Sequence, residues 1–304
     1  MLVNANAGRV RRHPRLLEGL RDLVPDARLA VTRQLEEIQP ALEKLYAAGI
    51  EDVALVGGDG TMTESLTALL RVWPHDALPR VTLLSGGSVN TIPRAFTGGA
   101  FPHRVLRRML ADGATRREVQ RTPLRVDVEG RPPRYGFIFG NGAATRWLDL
   151  YHAQPQRGVA GATAVLARAL GSAAVNGKLA RQLFARFAAE VEIDGERAPQ
   201  CRFTAMAAGA LPEIGLGFRP FHLVDTAPGR IHWIMTDAGP FELGIEIPAA
   251  RFGRRNPGTK LSDYSGRRVV VRSRPMPYTV DGDVFPATPR VEISAGPPIW
   301  FRVP

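Results

Sequence analysis

One cysteine, Cys201, occurs in 304 residues, so neither a disulfide framework nor a cysteine-based zinc site can form within one chain. A reducing cytosol is the expected setting. No window approaches the roughly 18 uninterrupted apolar residues of a membrane span, and the stretch MLVNANAGRVRR has no apolar segment after its basic residues. The sequence therefore predicts neither an integral nor an exported protein. The six histidines show no HxxxH or HExxH spacing, and Ser85, Ser88 and Ser172 sit in no G-x-S-x-G elbow. Hydrolytic zinc and a serine triad are disfavoured, and each histidine is expected to be structural or exposed.

Acidic residues are also short, 29 against 40 lysines and arginines, leaving a net charge of +11. Arginines cluster at residues 9–15, 104–108, 116–121, 251–255 and 267–274. Such clusters attract nucleotides, nucleic acids or an anionic membrane, or are simply solvated faces. Aromatic residues make up only 7% and no nucleic-acid module is recognisable, so nucleic acid is not the expected partner.

Apolar residues are plentiful enough, at 44%, for a chain of this length to build two packed domains without metal or disulfide support. Residues 1–112 alternate short apolar runs with helical patterns: LVNANAG, ARLAVT, DVALVGG and RVTLLSGG precede helices near 14–23, 34–48, 62–72 and 102–111. That order predicts an α/β domain around a parallel sheet, with a nucleotide-sized site at the carboxyl ends of its strands. From about residue 122, short alternating runs separated by Gly, Pro and Asp-Gly predict an antiparallel β-sandwich. A helical insertion at 159–187, joined near Asn176-Gly177, is amphipathic and is expected to pack on a sheet.

Three turns carry the chemistry. In LVGGDGTMTESL, Gly57, Gly58 and Gly60 let the backbone bend at a strand end and approach a ligand, while helix-start N–H groups near Met62 face an anion. Asp59 has the wrong sign for a bare phosphate cradle, and makes sense if it holds Mg²⁺ or takes a proton. Thr61 adds a hydroxyl, and Glu64 lies one turn into the helix. The turns NANAG, with Asn4, Ala5, Asn6, Ala7 and Gly8, and SGGSVNT, with Gly86, Gly87, Ser88 and Asn90, end two other strands. Together they predict one rim. Near the carboxyl end, YTVDGDVF sets Asp281 and Asp283 about Gly282. Alternation would aim both carboxylates to one side, whereas a hairpin turn of the Asp-Gly type is the alternative.

NANAG, GGDGTMTE, GGSVNT and VDGD, in this order, resemble the diacylglycerol kinase catalytic-domain family of bacterial lipid kinases, relatives of sphingosine and ceramide kinases. GGDGT is shared with NAD kinases, and the flanking motifs favour the lipid-kinase branch. The resemblance implies an amino-terminal nucleotide domain at 1–121, joined by a return at about 288–304, and a lipid-substrate domain at 122–287. It also implies that residues 4–8, Thr32, residues 58–64 and Ser88 line an ATP site. Asp59 and Asp127 would lie near Mg²⁺. Asp283 stands where the family has a glutamate base, Asp281 precedes it, and Asp59 is the rival base. The acceptor would be a lipid at an anionic membrane surface, and the enzyme cytoplasmic and peripherally bound.

Departures accompany the likeness. NANAG lacks the family's proline and serine, Thr91 replaces an acid, Asp283 is a methylene short, and PGRIH (228–232) has neither acid of an accessory Mg²⁺ segment. That accessory site is expected to be lost. An NAD kinase-like activity and a non-catalytic nucleotide- or lipid-binding protein are the alternative readings. Oligomeric state is left open, a homodimer included.

Overall fold

The computed structural model describes all residues except 112–116, 156–157, 176, 216, 225, 227–228 and 256–259, and the side chains of 247 and 248. Arg116, Asn176 and Pro228, named above, lie outside the described residues. Two compact units form: residues 1–123 with 297–304, and residues 124–296.

The first unit alternates strands β1 (Leu2–Asn4), β2 (Ala30–Thr32), β3 (Asp52–Gly57), β4 (Arg80–Ser85) and β5 (Arg117–Arg121) with helices α1 (Gly8–Arg12), α2 (Arg15–Arg21), α3 (Ile38–Ala47), α4 (Asp59–Val72), α5 (Thr91–Thr97) and α6 (Pro102–Leu110). Among the described residues its sheet runs β2-β1-β3-β4, then the carboxyl-terminal strand Ile299–Val303, then β5. All neighbours are parallel except the last pair. β3 and β4 read as near-continuous apolar runs because helices cover both faces. Val3, Val56 and Leu84 join Leu16, Leu20 and Val105 in one buried cluster under α2 and α6. Leu55, pointing the other way, is buried with Leu42 of α3 and Met62 and Leu66 of α4. α3 ends where Gly49 turns left-handed, at φ 65°. α4 begins at Asp59, earlier than the expected Met62, because Gly58 is extended and an acid is favourable in a first helical turn.

The second unit contains β6 (Leu124–Asp127), β7 (Arg134–Gly136), β8 (Ile138–Gly142), α7 (Ala143–His152), α8 (Val159–Ala174), α9 (Lys178–Leu183), β9 (Phe187–Ile193), β10 (Glu196–Arg197), β11 (Arg202–Phe203), β12 (Ala205–Gly209), β13 (Ile231–Thr236), α10 (Pro240–Arg251), β14 (Leu261–Gly266), β15 (Arg268–Val280) and β16 (Asp283–Ala295). Every strand pairing here is antiparallel. Phe139 stacks on Trp233 at 5.7 Å, with Phe137, Phe203 and Val269 buried around the sheet. β15 serves two partners: residues 269–273 pair with β9 and residues 278–280 with β8. Between them the register with β16 slips, where Pro275 and Pro277 offer no N–H to a ladder.

Four expectations change. The return to the first unit begins at Pro297 rather than about 288, because residues 288–295 continue β16 and pair with β15 and β6. The segment 159–187 packs chiefly on α7, α10 and its own second helix rather than on a sheet. Helices α7 and α10 are additional to the single helical interruption expected from the sequence. Asp281 and Gly282 have φ of 51° and 96°, so they form the two-residue turn between β15 and β16, and the two acids do not alternate along an extended segment.

The Asp281 carboxylate is buried and accepts from the backbone N–H groups of Phe137 at 2.9 Å and Ile138 at 2.8 Å. Asp281→Ala leaves those donors without this acceptor and should destabilise the second unit by about 2 kcal/mol. Urea unfolding followed by near-ultraviolet dichroism measures it, and an unchanged midpoint would remove the turn's anchoring role.

A second polar network joins β13 to β14. His232, fully buried, accepts at Nδ1 from Leu223 N–H at 3.3 Å and so donates from Nε2 to Asp263 at 2.7 Å. Arg255 grips the same carboxylate through two contacts of 2.7 Å. Burial lowers the His232 pKa from 6.5, outweighing Asp263. Burial pushes the Asp263 carboxyl up, yet hydrogen bonds from Arg255 and His232 prevail and hold it well below the carboxylate range. Both groups take up protons on unfolding, so stability should be full above about pH 6.5 and fall below it, more steeply under about pH 4. Unfolding free energy measured from pH 7.5 to 4 tests this, with His232→Gln expected to flatten the upper part of the fall.

Candidate active site

In strand order β2-β1-β3-β4 the chain reverses direction across the sheet between β1 and β3, which opens a crevice at their carboxyl ends. The three glycine- and amide-rich turns meet there. Asn4 Nδ2 donates to Thr61 Oγ1 at 2.8 Å, and Asn4 Oδ1 accepts from Asn6 N–H at 2.9 Å, closing the first turn. Asn6 Nδ2 donates to Arg33 O at 2.7 Å, and Ala5 N–H to Thr32 O at 2.9 Å, so the end of β2 joins the same assembly. Thr32 itself is buried.

The third turn locks onto the other two. Gly86 N–H donates to Gly57 O at 2.7 Å, and Gly86 O accepts from Arg9 N–H at 2.8 Å. Asn90, left-handed at φ 59°, folds back so that its side chain accepts from Gly87 N–H at 2.6 Å and donates to Gly87 O at 2.8 Å. Backbone meets backbone without side chains: a Cβ at Gly58 would stand 3.1 Å from the Gly87 Cα, and one at Gly8 would collide with Ser88 Oγ. A Cβ at Gly87 would collide with the Gly58 Cα, so Gly87 is the glycine that this close approach requires.

Asp59, partly exposed in the first turn of α4, accepts through Oδ1 from Ile92 N–H at 2.8 Å. It therefore couples the second turn to the start of α5. Glu64 lies further along α4, half-buried, and Gly60 sits between Asp59 and buried Thr61.

Sequence reading counted Arg9 and Arg12 in a basic cluster but did not assign them to this site. Arg12 Nε donates to Gly8 O at 2.9 Å and its guanidinium lies 3.5 Å from Ser88 Oγ. Arg9 donates to Gly99 O at 2.9 Å and rests over the Phe101 ring. Burial, then repulsion from Arg94 and Arg12, lowers the Arg9 pKa from its ordinary value, and the group stays charged. Like charges crowded at one turn make a local anion preference. The available signal was spacing, since Arg9 and Arg12 lie three apart on α1 directly after NANAG.

The remaining acids sit in the second unit. Asp127, expected near a metal, shares a strand face with Arg125, which contacts both its oxygens at 2.9 to 3.1 Å. Asp283 opens β16, half-buried, immediately after the anchored turn. Among the described residues, His222, His232 and Asp263 place one donor atom each within 4.8 Å of one another. His232 is the last residue of PGRIH. With Asp263 gripped by Arg255, these groups form a satisfied hydrogen-bond network rather than a set of hard oxygen ligands. A cavity of about 740 Å³ at the amino ends of β1 and β3, lined by Met1, Arg28, Asp52 and Arg302 among others, shares no residue with the three turns.

No curated protein matches the chain. A diacylglycerol kinase from Bacillus anthracis str. Sterne is similar in structure at TM-score 0.66 and 15% identity, over 99% of this chain and 94% of that one. A presumed diacylglycerol kinase from the same organism reaches TM-score 0.69 at 14% identity, over 100% and 96%. These likenesses establish the fold. An NAD kinase from Archaeoglobus fulgidus in complex with ATP is more distant, at TM-score 0.46 and 14% identity over 99% and 91%. The model of the diacylglycerol kinase catalytic domain matches residues 1–121, the stretch that holds all three turns. Residues 1–121 thus match the diacylglycerol kinase catalytic-domain model, and the whole chain shares the fold of the B. anthracis structures.

Proposed function

We propose that the protein is an ATP-dependent, Mg²⁺-dependent lipid kinase acting on the hydroxyl of a diacylglycerol-like or sphingoid- or ceramide-like lipid. The observation that carries this reading is the hydrogen-bonded rim of three turns at the β1/β3 crevice, closed by glycines at 8, 57, 58, 86 and 87 and flanked by Arg9, Arg12 and Arg94. Such a cradle fits a polyphosphate, whose oxygens accept from backbone N–H groups and guanidiniums. The fit extends to the metal through Asp59, a hard carboxylate at the phosphate rim. Asp127 is not assigned a metal role, because Arg125 engages both its oxygens.

Bound Mg²⁺ supplies charge neutralisation on the phosphates. The chain's own residues do the rest. Ser88 and the guanidiniums of Arg9 and Arg12 hold the phosphate oxygens, while Asp59 orients the cradle through its bond to Ile92. Asp283 takes the proton of the lipid hydroxyl as that oxygen bonds to the γ-phosphorus. The bond from phosphorus to the β–γ bridging oxygen breaks, and its electron pair leaves with ADP. Asp281 positions Asp283 by anchoring the hairpin turn.

Transfer of labelled γ-phosphate to a lipid panel in mixed micelles, with NAD as a soluble control, tests the reading. Label should enter one lipid class and not NAD; ATP binding with no lipid labelled would return the chain to the binding-protein class. Asp283→Asn should lower kcat by about 10²- to 10⁴-fold with ATP affinity kept, and Asp283→Glu should retain most activity. If Asp283→Asn turns over normally and Asp59→Asn does not, the base is Asp59. Arg12→Ala should weaken ATP binding by about tenfold, in line with the loss of one charge-assisted contact, as read by titration calorimetry.

A further inference from the structure

α8 and α10 present a surface that the chemistry above does not use. α8 buries Gly161, Ala162, Val165 and Ala169, and at 100° per residue the opposite stripe runs through Val159, Ala167 and Leu170. Val159 is 51% exposed, Leu170 40%, and Val175 at the helix end 78%. α10 repeats the pattern. Phe241 and Ile245, one turn apart, are 73% and 49% exposed, and Phe252, just beyond the helix on the same stripe, is 76% exposed. The stripes adjoin, since a Cβ at Gly244 would stand 3.9 Å from Leu170 Cδ2.

Soluble surfaces scatter such residues singly, whereas a contiguous apolar face marks an interaction site. The charge around this face selects the partner. No acidic residue occurs between Asp149 and Glu190. Arg168, Lys178, Arg181 and Arg254 are exposed around the helices, and among the described residues none of the four forms an ion pair. Of the two acids in α10, Glu246 is buried and Glu242 is held by Gly239 N–H and Lys260. Exposed apolar stripes on helices whose neighbouring cations lack acidic partners match an anionic bilayer, where rings enter the acyl boundary and cations meet lipid phosphates. A second copy fits less well, because a two-fold contact would bring both sets of cations together.

We propose that the α8–α10 face docks on an anionic membrane leaflet, with Phe241, Ile245 and Phe252 entering the acyl boundary and Arg168, Lys178, Arg181 and Arg254 meeting headgroup phosphates. The proposal deepens the lipid-kinase reading, on which it rests for the reason the enzyme visits a bilayer; the docking itself is tested without ATP or acceptor. The experiment is co-sedimentation of the full chain with phosphatidylcholine vesicles with and without phosphatidylserine. Wild type should bind the anionic vesicles, and Phe241→Glu with Phe252→Glu should reduce partitioning by at least roughly tenfold, since two exposed rings lose their burial. Replacing Arg168, Lys178 and Arg181 by glutamine should lose roughly fivefold per charge on anionic vesicles, and added salt should mimic it. All these side chains are exposed, and thermal melting verifies that the variants fold.

No binding by wild type, or equal binding by the double-glutamate variant, overturns the proposal. So does a dimer that the double-glutamate change splits into monomers while vesicle binding stays intact, which would assign the face to a second copy. A short-chain diacylglycerol dissolved as monomers separates the two readings: the double variant should phosphorylate it like wild type. Vesicle binding by a wild type that labels no lipid would leave the docking face standing and remove the kinase.

Discussion

The Asn4 side chain spans the crevice at the end of β1, giving its amide hydrogens to Thr61 and its carbonyl to Asn6 N–H. The first strand of the sheet is only three residues long, so little of its position comes from ladder bonds. The turn that follows is held by side chains and by Gly86, whose carbonyl takes Arg9 N–H and whose N–H reaches Gly57. Every feature of the proposed phosphate cradle depends on these few bonds. They bring three strand ends close enough that a methyl group at Gly58 or Gly8 would press on its neighbour, and they start α1 so that Arg12 reaches Ser88.

The second unit rests on a similar economy. The β15–β16 hairpin is long, slips in register along its proline-bearing middle and shares β15 between β8 and β9. A buried carboxylate, Asp281, fixes its tip to β8 by charge-assisted bonds to two N–H groups. A buried acid is costly unless satisfied, so its presence in a turn makes the turn's conformation specific. The neighbouring Asp283 inherits a defined place from that constraint. His232, Asp263 and Arg255 do the same for the β13–β14 pair, at the cost of sensitivity to acid.

Function and fold therefore divide the charges differently. At the rim, Arg9, Arg12 and Arg94 crowd together and compete for solvent, which suits an anion that the protein does not supply. Arg125, Arg255 and Arg268 are instead matched to Asp127, Asp263 and Glu292. Net charge alone could not separate these groups, because an arginine's role is set by whether an acid faces it.

Local chemistry was legible in the sequence where it is local in space. Gly57 to Thr61 declare a strand-to-helix turn because glycine conformations and helix-start acids are properties of adjacent residues. The change of texture near residue 122 marks two kinds of sheet because strand periodicity is also local. What the sequence left ambiguous was decided by contacts distant along the chain. Asp281 points to residues 144 and 143 positions away, so its role as an anchor is invisible in YTVDGDVF. Asp127 is the exception: Arg125, which engages it, stands two residues away on the same strand face, and the pairing was available in LRVD. α8 is amphipathic on paper, yet only the packing of α7, α9 and α10 decides which stripe is covered and which is left bare. Sequence determined the turns, the strand texture and the chemistry available at each; tertiary structure alone decided which of those groups meet, because pairing and burial depend on the path of the whole chain.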